Sequence, residues 1–594
     1  MKTYLGIHVG HNASAALMVN GKIVHALQEE RFTNQKNFMG FPEKSLRYLA
    51  EYVNTKSLII DEASFSTIKM GVFEFKYQIN HYFSVKDFHE YYGEKFYNKK
   101  IKGQSVQSYI NNLDKNNRLK KNIYSKIKSK NIFSNPLDYQ EISKNYLKKI
   151  FKKKIKLISF LDHHTCHAYY GKYSIDNKEN NYAVIVLDSI GDNVNQSIWL
   201  PDTKKGELKS ILRNNQCELG RIYKFVTLIM NMKPDEHEFK VMGMAPYAKE
   251  YYFKKIYKDV FQNIQKFKGL AIVHKKRPKN LYIFLKEKLK HHRFDNIAGA
   301  VQHFIENIIG ELLTKIFKKH QIKTFYFSGG ISMNVKMYNT FIKNKHITKI
   351  HNAPSGADES LSIGACYYLN RKSNSYPLDN LSLGLPVSET NQSLLKIIKK
   401  QLAKNYKVKH NVKPKEIAKL LSKNKIIAIA DGREEFGARA LGNRSIIANP
   451  SDPENVKQIN QYIKNRDFWM PFALTIIDNK VKKYIDNPKN LSSEFMNLSF
   501  DTKKKYFKNI SAGAHPYDKT VRPQFLKRKQ NENFYEIIKE FSKLTNIDAV
   551  LNTSLNLHGN PKCSSIDTVI KTFKSSGLKY LYINGSILVK KLYS

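Results

Sequence analysis

His163 and His167 stand four residues apart, one helical turn, so both imidazoles can project from one face toward a single cation. A carboxylate to complete such a group is available in residues 354–359, PSGADE, where Asp358 falls at the predicted start of a helix. Two imidazoles and one carboxylate with open positions suit Fe(II) or Zn(II), and the donor set does not choose between them. Most histidine pairs at this spacing are ordinary polar faces, so the third donor gives the reading its weight. A different chemistry is written in residues 431–445, DGREEFGARALGNRS, where Arg433, Arg439 and Arg444 lie among Gly432, Gly437 and Gly442. Arg forks match phosphate or carboxylate oxygens in pairs, so three guanidiniums on a glycine-broken loop suit a planar anion, phosphorylated compounds first. The competing reading is a surface salt-bridge loop built on Glu434 and Glu435.

These groups need strands and helices to hold them. Residues 426–430, IIAIA, read as a buried strand that empties into the arginine loop. Asp162 can cap a helix beginning at His163, after a strand over residues 157–161. Residues 4–10 read as a strand, 11–14 as a polar turn and 15–19 as a second strand; Asn20-Gly21 then offers a two-residue hairpin turn before a third strand at 23–27. The same order returns at 182–187, 196–200 and 208–212, with a polar loop at 188–192 that holds Asp188 and Asp192. One structural unit therefore occurs twice, and two such halves make a nucleotide cleft. Residues 324–327 lead through Ser328-Gly329-Gly330 into a helical pattern at 333–341, a place where backbone can approach a ligand closely. A stretch rich in Ser, Pro, Asn and Gly at 374–393 marks a domain boundary. Beyond it, a strand at 547–551 feeds a polar loop at 552–556.

A chain of 594 residues exceeds one hydrophobic core and implies at least two domains. Its apolar runs are too short for a membrane span or a signal peptide, and four scattered cysteines give neither a disulfide framework nor a zinc-finger spacing, so a cytoplasmic protein is expected. The net charge of +49 invites a nucleic-acid partner, but it comes from lysines spread with Asn and Ile through every segment. That pattern reads as compositional bias. The densest basic region, residues 99–156, interleaves Tyr, Phe and Ile and reads as an inserted helical subdomain.

Several stretches together carry a family likeness: 10–16 GHNASAA, 29–32 EERF with Lys36, 162–168 DHHTCHA, 240–247 KVMGMAPY, 328–334 SGGISMN, 356–365 around Asp358, the arginine loop, and 552–556 NTSLN. In these residues, and over nearly its whole length, the chain resembles the nodulation-protein and tobramycin-type O-carbamoyltransferases. The resemblance implies an α/β chain with a duplicated actin-like, ribonuclease-H-like domain of the tRNA-threonylcarbamoyl-transfer type over residues 1–385, carrying a basic insertion around 75–155. A YrdC-like α/β domain over 395–594 follows.

It further implies a reaction in two sites. The YrdC-like domain turns carbamoyl phosphate and ATP, with Mg2+, into carbamoyl-adenylate; a hydroxyl of a sugar or secondary metabolite then attacks the carbamoyl carbon in the actin-like domain and AMP leaves. By the same resemblance Lys36, Arg439, Arg444 and Lys464 serve catalysis, with Arg466, Arg522, Ser554 and Asn556 in the carbamoyl-phosphate pocket. His11 assists deprotonation of the acceptor. Asn12, Asp188, Asp192, Lys240, Gly329, Gly330 and Asn334 lie along the nucleotide. His163, His167 and Asp358 hold a divalent metal, ferrous iron first, zinc or manganese otherwise. A homodimer fits the family; nucleic acid does not. Departures from the family pattern are Ser189 and Asp192 in the second hairpin loop, Met470 where an arginine is usual, and Asn560 where glutamate is usual. A tRNA-modifying enzyme, to which the basic charge points, and a non-catalytic homologue, to which Met470 and Asn560 point, are the alternatives.

Overall fold

The computed structural model describes residues 2–69, 83–119, 137–176, 179–204, 206–388, 390–402 and 405–592. The chain falls into two compact units, Met1–Val24 with Asn37–Pro377, and His25–Lys36 with Leu378–Ser594.

In the N-terminal unit, the strands Thr3–His8 (β1), Ser14–Val19 (β2), Lys22–Gln28 (β3), Ile60–Phe65 (β4) and Ile155–Phe160 (β5) form a five-stranded sheet ordered β3-β2-β1-β4-β5. β1 pairs antiparallel with β2 and parallel with β4, which pairs parallel with β5. Asn20 and Gly21 make the expected turn with φ of 48° and 78°, the left-handed pair that matches strand twist in a tight hairpin.

A second five-stranded sheet repeats the plan. Its strands are Ala183–Gly191 (β6), Val194–Asp202 (β7), Glu207–Asn214 (β8), Thr324–Ser328 (β9) and Lys349–Asn352 (β10), ordered β8-β7-β6-β9-β10. The antiparallel and parallel pairings recur in the same places. The duplication read from the sequence is therefore a repeated topology. One detail differs: the loop expected at 188–192 is mostly strand. β6 continues to Gly191 through a register shift after Leu187, and the chain turns at Asp192 and Asn193, with φ of 48° and 65°.

Between β4 and β5, the described part of the basic insertion is helical, with Val85–Tyr92 (α1) followed by Tyr97–Ile101, Gln107–Lys115 and Leu137–Phe151. Other parts of that insertion lie outside the described residues. The site-bearing helices are His163–Tyr173 (α2), Leu219–Ile229 (α3), Phe294–His320 (α4) and Leu361–Leu369 (α5). α5 packs so closely that a Cβ on Gly6 of β1 would lie 1.8 Å from the Ser362 carbonyl oxygen, and one on Gly364 would lie 2.0 Å from that of Cys166 in α2. Among the described residues no helix is long and apolar enough to cross a membrane.

The C-terminal unit is built on one mixed eight-stranded sheet. Its strands are Tyr406–Lys409 (β11), Ile427–Ala430 (β12), Arg444–Ala448 (β13), Ala473–Ile477 (β14), Pro523–Leu526 (β15), Ala549–Ser554 (β16), Tyr580–Ile583 (β17) and Ile587–Lys591 (β18), in the order β11-β18-β17-β12-β13-β16-β14-β15. β12 and β13 are antiparallel neighbours, so the arginine loop is the connection between them. β16 runs on to Ser554, which pairs with Ser445, so three residues expected in a polar loop, Asn552, Thr553 and Ser554, are strand residues. The physical reason is that β13 offers a full partner edge to that segment.

Because backbone rather than a flexible side chain meets a Cβ at Gly364, Gly364→Ala should destabilise the N-terminal unit by about 1–3 kcal/mol, the usual cost of overpacking. Denaturant unfolding reads this directly; an unchanged midpoint would show that α2 and α5 can part without cost.

Candidate metal centre and cationic site

α2 is buried on nearly all sides, although three of its first five residues are histidines. Asp162 caps it as expected, its carboxylate accepting from the Thr165 amide at 2.8 Å. Each imidazole needs a partner in the interior. His164 finds two on β7, the Ser197 hydroxyl at 2.9 Å and the Val194 carbonyl at 3.1 Å. His163 and His167 face two carboxylates instead. His163 Nε2 lies 3.1 Å from Asp188 Oδ2 and 3.6 Å from Asp358 Oδ1; His167 Nε2 lies 3.7 and 3.6 Å from the same two atoms. One donor atom from each of the four residues falls within 4.8 Å of the rest. Atoms that share an ion at about 2.0–2.2 Å stand roughly 3–4 Å apart, so the set has the spacing of a coordination shell. His167 Nε2 is buried with no hydrogen-bond partner, an atom left for a cation. The arrangement brings together His163, His167 and Asp358 and adds Asp188, which the sequence reading assigned to the nucleotide. The group is open on the Asp358 side, that carboxylate being 21% exposed against 0% for His167.

The electrostatics favour a cation here. Burial would raise the Asp188 carboxyl, but the His163 hydrogen bond at 3.1 Å and the nearby His163 and His167 imidazoles override it and hold it well below the usual carboxylate range. Burial would likewise lower His163, yet the Asp188 hydrogen bond, then the Asp358 and Asp188 charges, push it up to about 9. In an outer layer, His8 bonds Ser66 Oγ at 3.0 Å and the His11 carbonyl at 2.9 Å, and burial lowers its pKa to about 4. Sequence reasoning gave no site role to His8 or Gly191, and it read Ser328 only as part of the turn with Gly329 and Gly330. The Ser328 hydroxyl lies 3.3 Å from His167 Nδ1, and a Cβ on Gly191 would sit 2.2 Å from the His163 ring.

The remaining N-terminal candidates divide by environment. Gly330 donates its amide to Asp188 Oδ1 at 3.3 Å, and Gly329 has φ of 90° with no room for a Cβ beside the Leu187 carbonyl. Asn334 caps the following helix and pairs reciprocally with Gln302 at 2.9 and 3.1 Å. Asn12 reaches Glu359, the neighbour of Asp358, at 3.4 Å. His11 is half-buried and its Nε2 has no hydrogen-bond partner. Lys240 is half-buried on the helix Glu238–Met244. Asp192 stands apart from the four-residue group. Its carboxylate accepts from the amides of His163, Ile68 and Lys69 at 3.0–3.1 Å, so it anchors the start of α2.

In the C-terminal unit, the three arginines of the loop have unlike fates. Arg444 is wholly buried, and its donors meet the carbonyls of Ser564, Asp431, Asn443, Leu385 and Gly432 at 2.8–3.3 Å. The sequence reading gives Arg444 a catalytic role beside the substrate anion; in the structure its guanidinium is committed to backbone oxygens. Arg433 holds the Gly384 and Leu383 carbonyls and His25. Glu434 and Glu435 are buried at 2% and 1% exposure, which removes the surface salt-bridge reading. Glu435 accepts from the amides of Leu441, Asn443 and Arg444 at 2.7–3.1 Å and pairs with Lys562 at 3.3 Å. Gln28 and Arg31, from the segment that joins this unit, bond the Gly437 amide and carbonyl, each at 2.9 Å.

Arg439 belongs to a different cluster. Arg466 has its pKa lowered to about 10 by burial and then by Arg439; Arg522 is held well below the usual arginine range by burial, Arg439 and Arg466. Burial, with Arg466 and then Lys36 nearby, lowers Lys464 well below the usual lysine range. Lys464 Nζ bonds Asn556 Oδ1 at 2.6 Å and Ser554 Oγ at 3.2 Å, and Arg466 bonds Thr553 Oγ1 at 3.1 Å. Asn560 joins the same loop through its carbonyl, 2.7 Å from Asn556 Nδ2. Lys464, Arg466 and Arg522 thus converge on one another and on neutral oxygens. Cations brought together this way await an anion.

Two predictions follow from these charge arrangements. A raised histidine pKa contributes stability that is complete below the unfolded value of about 6.5 and is lost as pH rises through the folded value. Chelator-stripped protein should therefore lose thermal stability between pH 6.5 and about 9 as His163 deprotonates, whereas added divalent ion should stabilise more strongly as pH rises across that window, since it competes with the proton. A flat profile in both states would remove the cation-binding reading. Arg444→Met should cost about 3 kcal/mol or more, while Arg466→Met should be neutral or stabilising, because it removes a charge from a cluster of like sign. Paired denaturant curves separate the two, and equal losses would contradict the division of roles.

Comparison with known proteins bears on both units. The carbamoyltransferase N-terminus family matches residues 3–367, and the carbamoyltransferase C-terminus family matches residues 418–591. A protein of Methanocaldococcus jannaschii is 30% identical over 99% of this chain and 99% of its own length. Nodulation protein NolNO of Sinorhizobium fredii is 23% identical over 98% of this chain and 79% of its own. Component A of (R)-2-hydroxyglutaryl-CoA dehydratase from Acidaminococcus fermentans aligns with 62% of this chain and 97% of its own, at 11% identity and a TM-score of 0.30, so the fold assignment rests on the repeated strand order. With one family model on the duplicated sheets and the other on the arginine-loop unit, this chain belongs to the carbamoyltransferase family and is a carbamoyl-group transferase.

Proposed function

We propose that the protein is an ATP-dependent O-carbamoyltransferase working through carbamoyl-adenylate. The observation that carries this reading is the convergence of Lys464, Arg466 and Arg522, none with a carboxylate at ion-pair distance among the described residues. In a carbamoyltransferase, that cluster suits carbamoyl phosphate. Arg466 and Arg522, with Arg439, hold its phosphoryl oxygens, and Lys464 is fixed by Ser554 and Asn556 at the carbamoyl end. Water releases phosphate from carbamoyl phosphate and leaves carbamate. A carbamate oxygen then attacks the α-phosphorus of Mg2+-bound ATP, forming carbamoyl-adenylate and expelling pyrophosphate. Carbamate decomposes in water, which is why the cations must enclose it. Met470 is 7% exposed in place of the family's usual arginine, so the remaining cations carry the anion without it.

Transfer belongs to the N-terminal unit. The acceptor oxygen bonds to the carbamoyl carbon, the bond from that carbon to the adenylate oxygen breaks, and AMP leaves with the electron pair. His11 takes the hydroxyl proton; its unpartnered Nε2 supports that role. His163, His167, Asp188 and Asp358 would hold a divalent ion, iron first and zinc or manganese otherwise, which when bound would supply positive charge for the phosphate of AMP. Gly329 and Gly330 offer close-approaching backbone beside Asp188.

The test separates the halves. With carbamoyl phosphate and ATP, Arg466→Ala should lower pyrophosphate release by about a hundredfold or more, the scale of losing one preorganised contact to developing charge. The double variant His163→Ala/His167→Ala should keep pyrophosphate release and lose carbamoyl transfer together with bound metal. Unimpaired release in Arg466→Ala would overturn the assignment of the cationic site, and unimpaired transfer in the double variant that of the metal centre.

A further inference from the structure

The N-terminal unit holds a cavity of about 230 Å³ that none of the roles above uses. Its floor begins one residue from the metal centre. Ser189 lines it, and the Ser189 amide donates to Asp188 Oδ1 at 2.7 Å. α3 is pressed against that point, since a Cβ on Gly220 would lie 2.9 Å from Ser189 Cα. The volume is just under the roughly 300–1,000 Å³ of sites for drug-sized molecules, so the occupant is no larger than about one or two rings.

Two kinds of wall meet there. One is aromatic: Tyr91 and Tyr92 at the end of α1, and Tyr97, all from the inserted helical segment, with Phe225 of α3. The rings of Tyr92 and Phe225 pack edge to face at 5.0 Å. Such surfaces take the apolar face of a hydroxylated ring while their phenol groups meet its hydroxyls. The other wall is basic. The Glu218 carboxylate is buried and lies 3.4 Å from Arg221, 3.6 Å from His274 and 3.6 Å from Arg277. These separations are long for hydrogen bonds, and one carboxylate cannot neutralise two guanidiniums. Lys224, by contrast, is paired with Asp235 at 2.5 Å. Both ring nitrogens of His274 are buried without a hydrogen-bond partner. The basic wall therefore has donors to spare for an added anion.

We infer that this cavity is the acceptor subsite and that it takes an anionic monosaccharide, a hydroxylated ring bearing a phosphate or carboxylate. The ring lies against the tyrosines and the anion against Arg221 and Arg277. A ring hydroxyl is thereby directed to the Asp188 side of the cavity, where its oxygen bonds to the carbamoyl carbon as AMP departs. The inference rests on the transfer reading for the identity of the reaction, but not for the binding it predicts.

Calorimetric titration of the full chain, metal-loaded and without ATP, tests it with four probes: glucose 1-phosphate, glucuronate, glucose and inorganic phosphate. Glucose 1-phosphate and glucuronate should bind, with glucose and inorganic phosphate each at least tenfold weaker. Arg277→Ala, at a side chain 63% exposed, should weaken both anionic sugars at least tenfold without changing the unfolding midpoint, and Tyr97→Ala should weaken all three sugars. Glucose matching glucose 1-phosphate would overturn the anionic requirement, inorganic phosphate matching it would reduce the cavity to an anion site, and insensitivity to Arg277→Ala would place binding elsewhere. Each of these overturns the inference. Pyrophosphate release, measured separately without any sugar, reports on the carbamoyl-adenylate reading, so the two can fail independently.

Discussion

A helix that is buried on almost every side and carries three histidines in its first five residues constrains the whole N-terminal unit. An imidazole removed from water must find a hydrogen bond, a charge or a metal. His164 takes the first route, through Ser197 and Val194, and so ties α2 to β7. His163 and His167 face charge instead, and two carboxylates must be delivered to them from separate places. Asp188 comes from the far end of β6, and Asp358 from the turn before α5. That delivery requires α5 to lie flat on β1 and α2, which is possible only because Gly6 and Gly364 present no side chain. Asp192 then fixes the first turn of α2 from its N-terminal end. The glycines, the bulge in β6 and the tight turn at Asp192 and Asn193 are thus consequences of placing two imidazoles against two acids in a dry interior.

The C-terminal unit shows the opposite sign and a sharper lesson about arginine. Arg433 and Arg444 are held by backbone, Arg433 by the Gly384 and Leu383 carbonyls and Arg444 by those of Asp431, Gly432 and Asn443 at the ends of β12 and β13 among others, and a guanidinium surrounded by carbonyls is satisfied without an anion. Arg466 and Arg522 are positioned where neighbouring oxygens are few and other cations are near, so each disfavours the charge of the next. Nothing in folding rewards that arrangement. Its cost is reasonable only if an anionic ligand repays it, which makes imbalance, more than the presence of arginine, the mark of the site.

The sequence made the duplicated hairpins, the capped helix at His163 and the strand leading into the arginine loop legible, because each rests on local signals: alternation, Asn-Gly, an Asx cap, a short apolar run. Asp188 was visible as a polar residue after a buried strand, but not as the fourth member of the His163, His167 and Asp358 cluster. Its neighbours in space, Gly330 and His163, are 142 and 25 residues away, and only the sheet order brings them together. The surroundings of Arg444 were hidden for the same reason. The loop sequence shows three guanidiniums, while the carbonyls of Leu385 and Ser564 that claim one of them come from distant segments. Nor does position along the chain reveal that His25–Lys36 counts with the C-terminal unit, where Gln28 and Arg31 brace Gly437.

The net charge of +49 illustrates how little a global count says about a site. The two charge concentrations that matter are of opposite sign, a pair of buried acids around two imidazoles and a knot of buried cations, and they contribute little to the total. Surface lysines are instead dispersed into exposed pairs such as Lys254 with Glu250 and Lys457 with Glu454, interactions worth at most about 1 kcal/mol each and screened by salt. Local compensation decides function here. A buried carboxylate with an imidazole 3.1 Å away and an unpartnered imidazole nitrogen nearby is a request for a cation, and a buried lysine held by a serine, an asparagine and the repulsion of an arginine is a request for an anion. The two requests differ in sign and in source: the first comes from carboxylates that outnumber the charge their imidazoles carry, the second from cations that no carboxylate offsets.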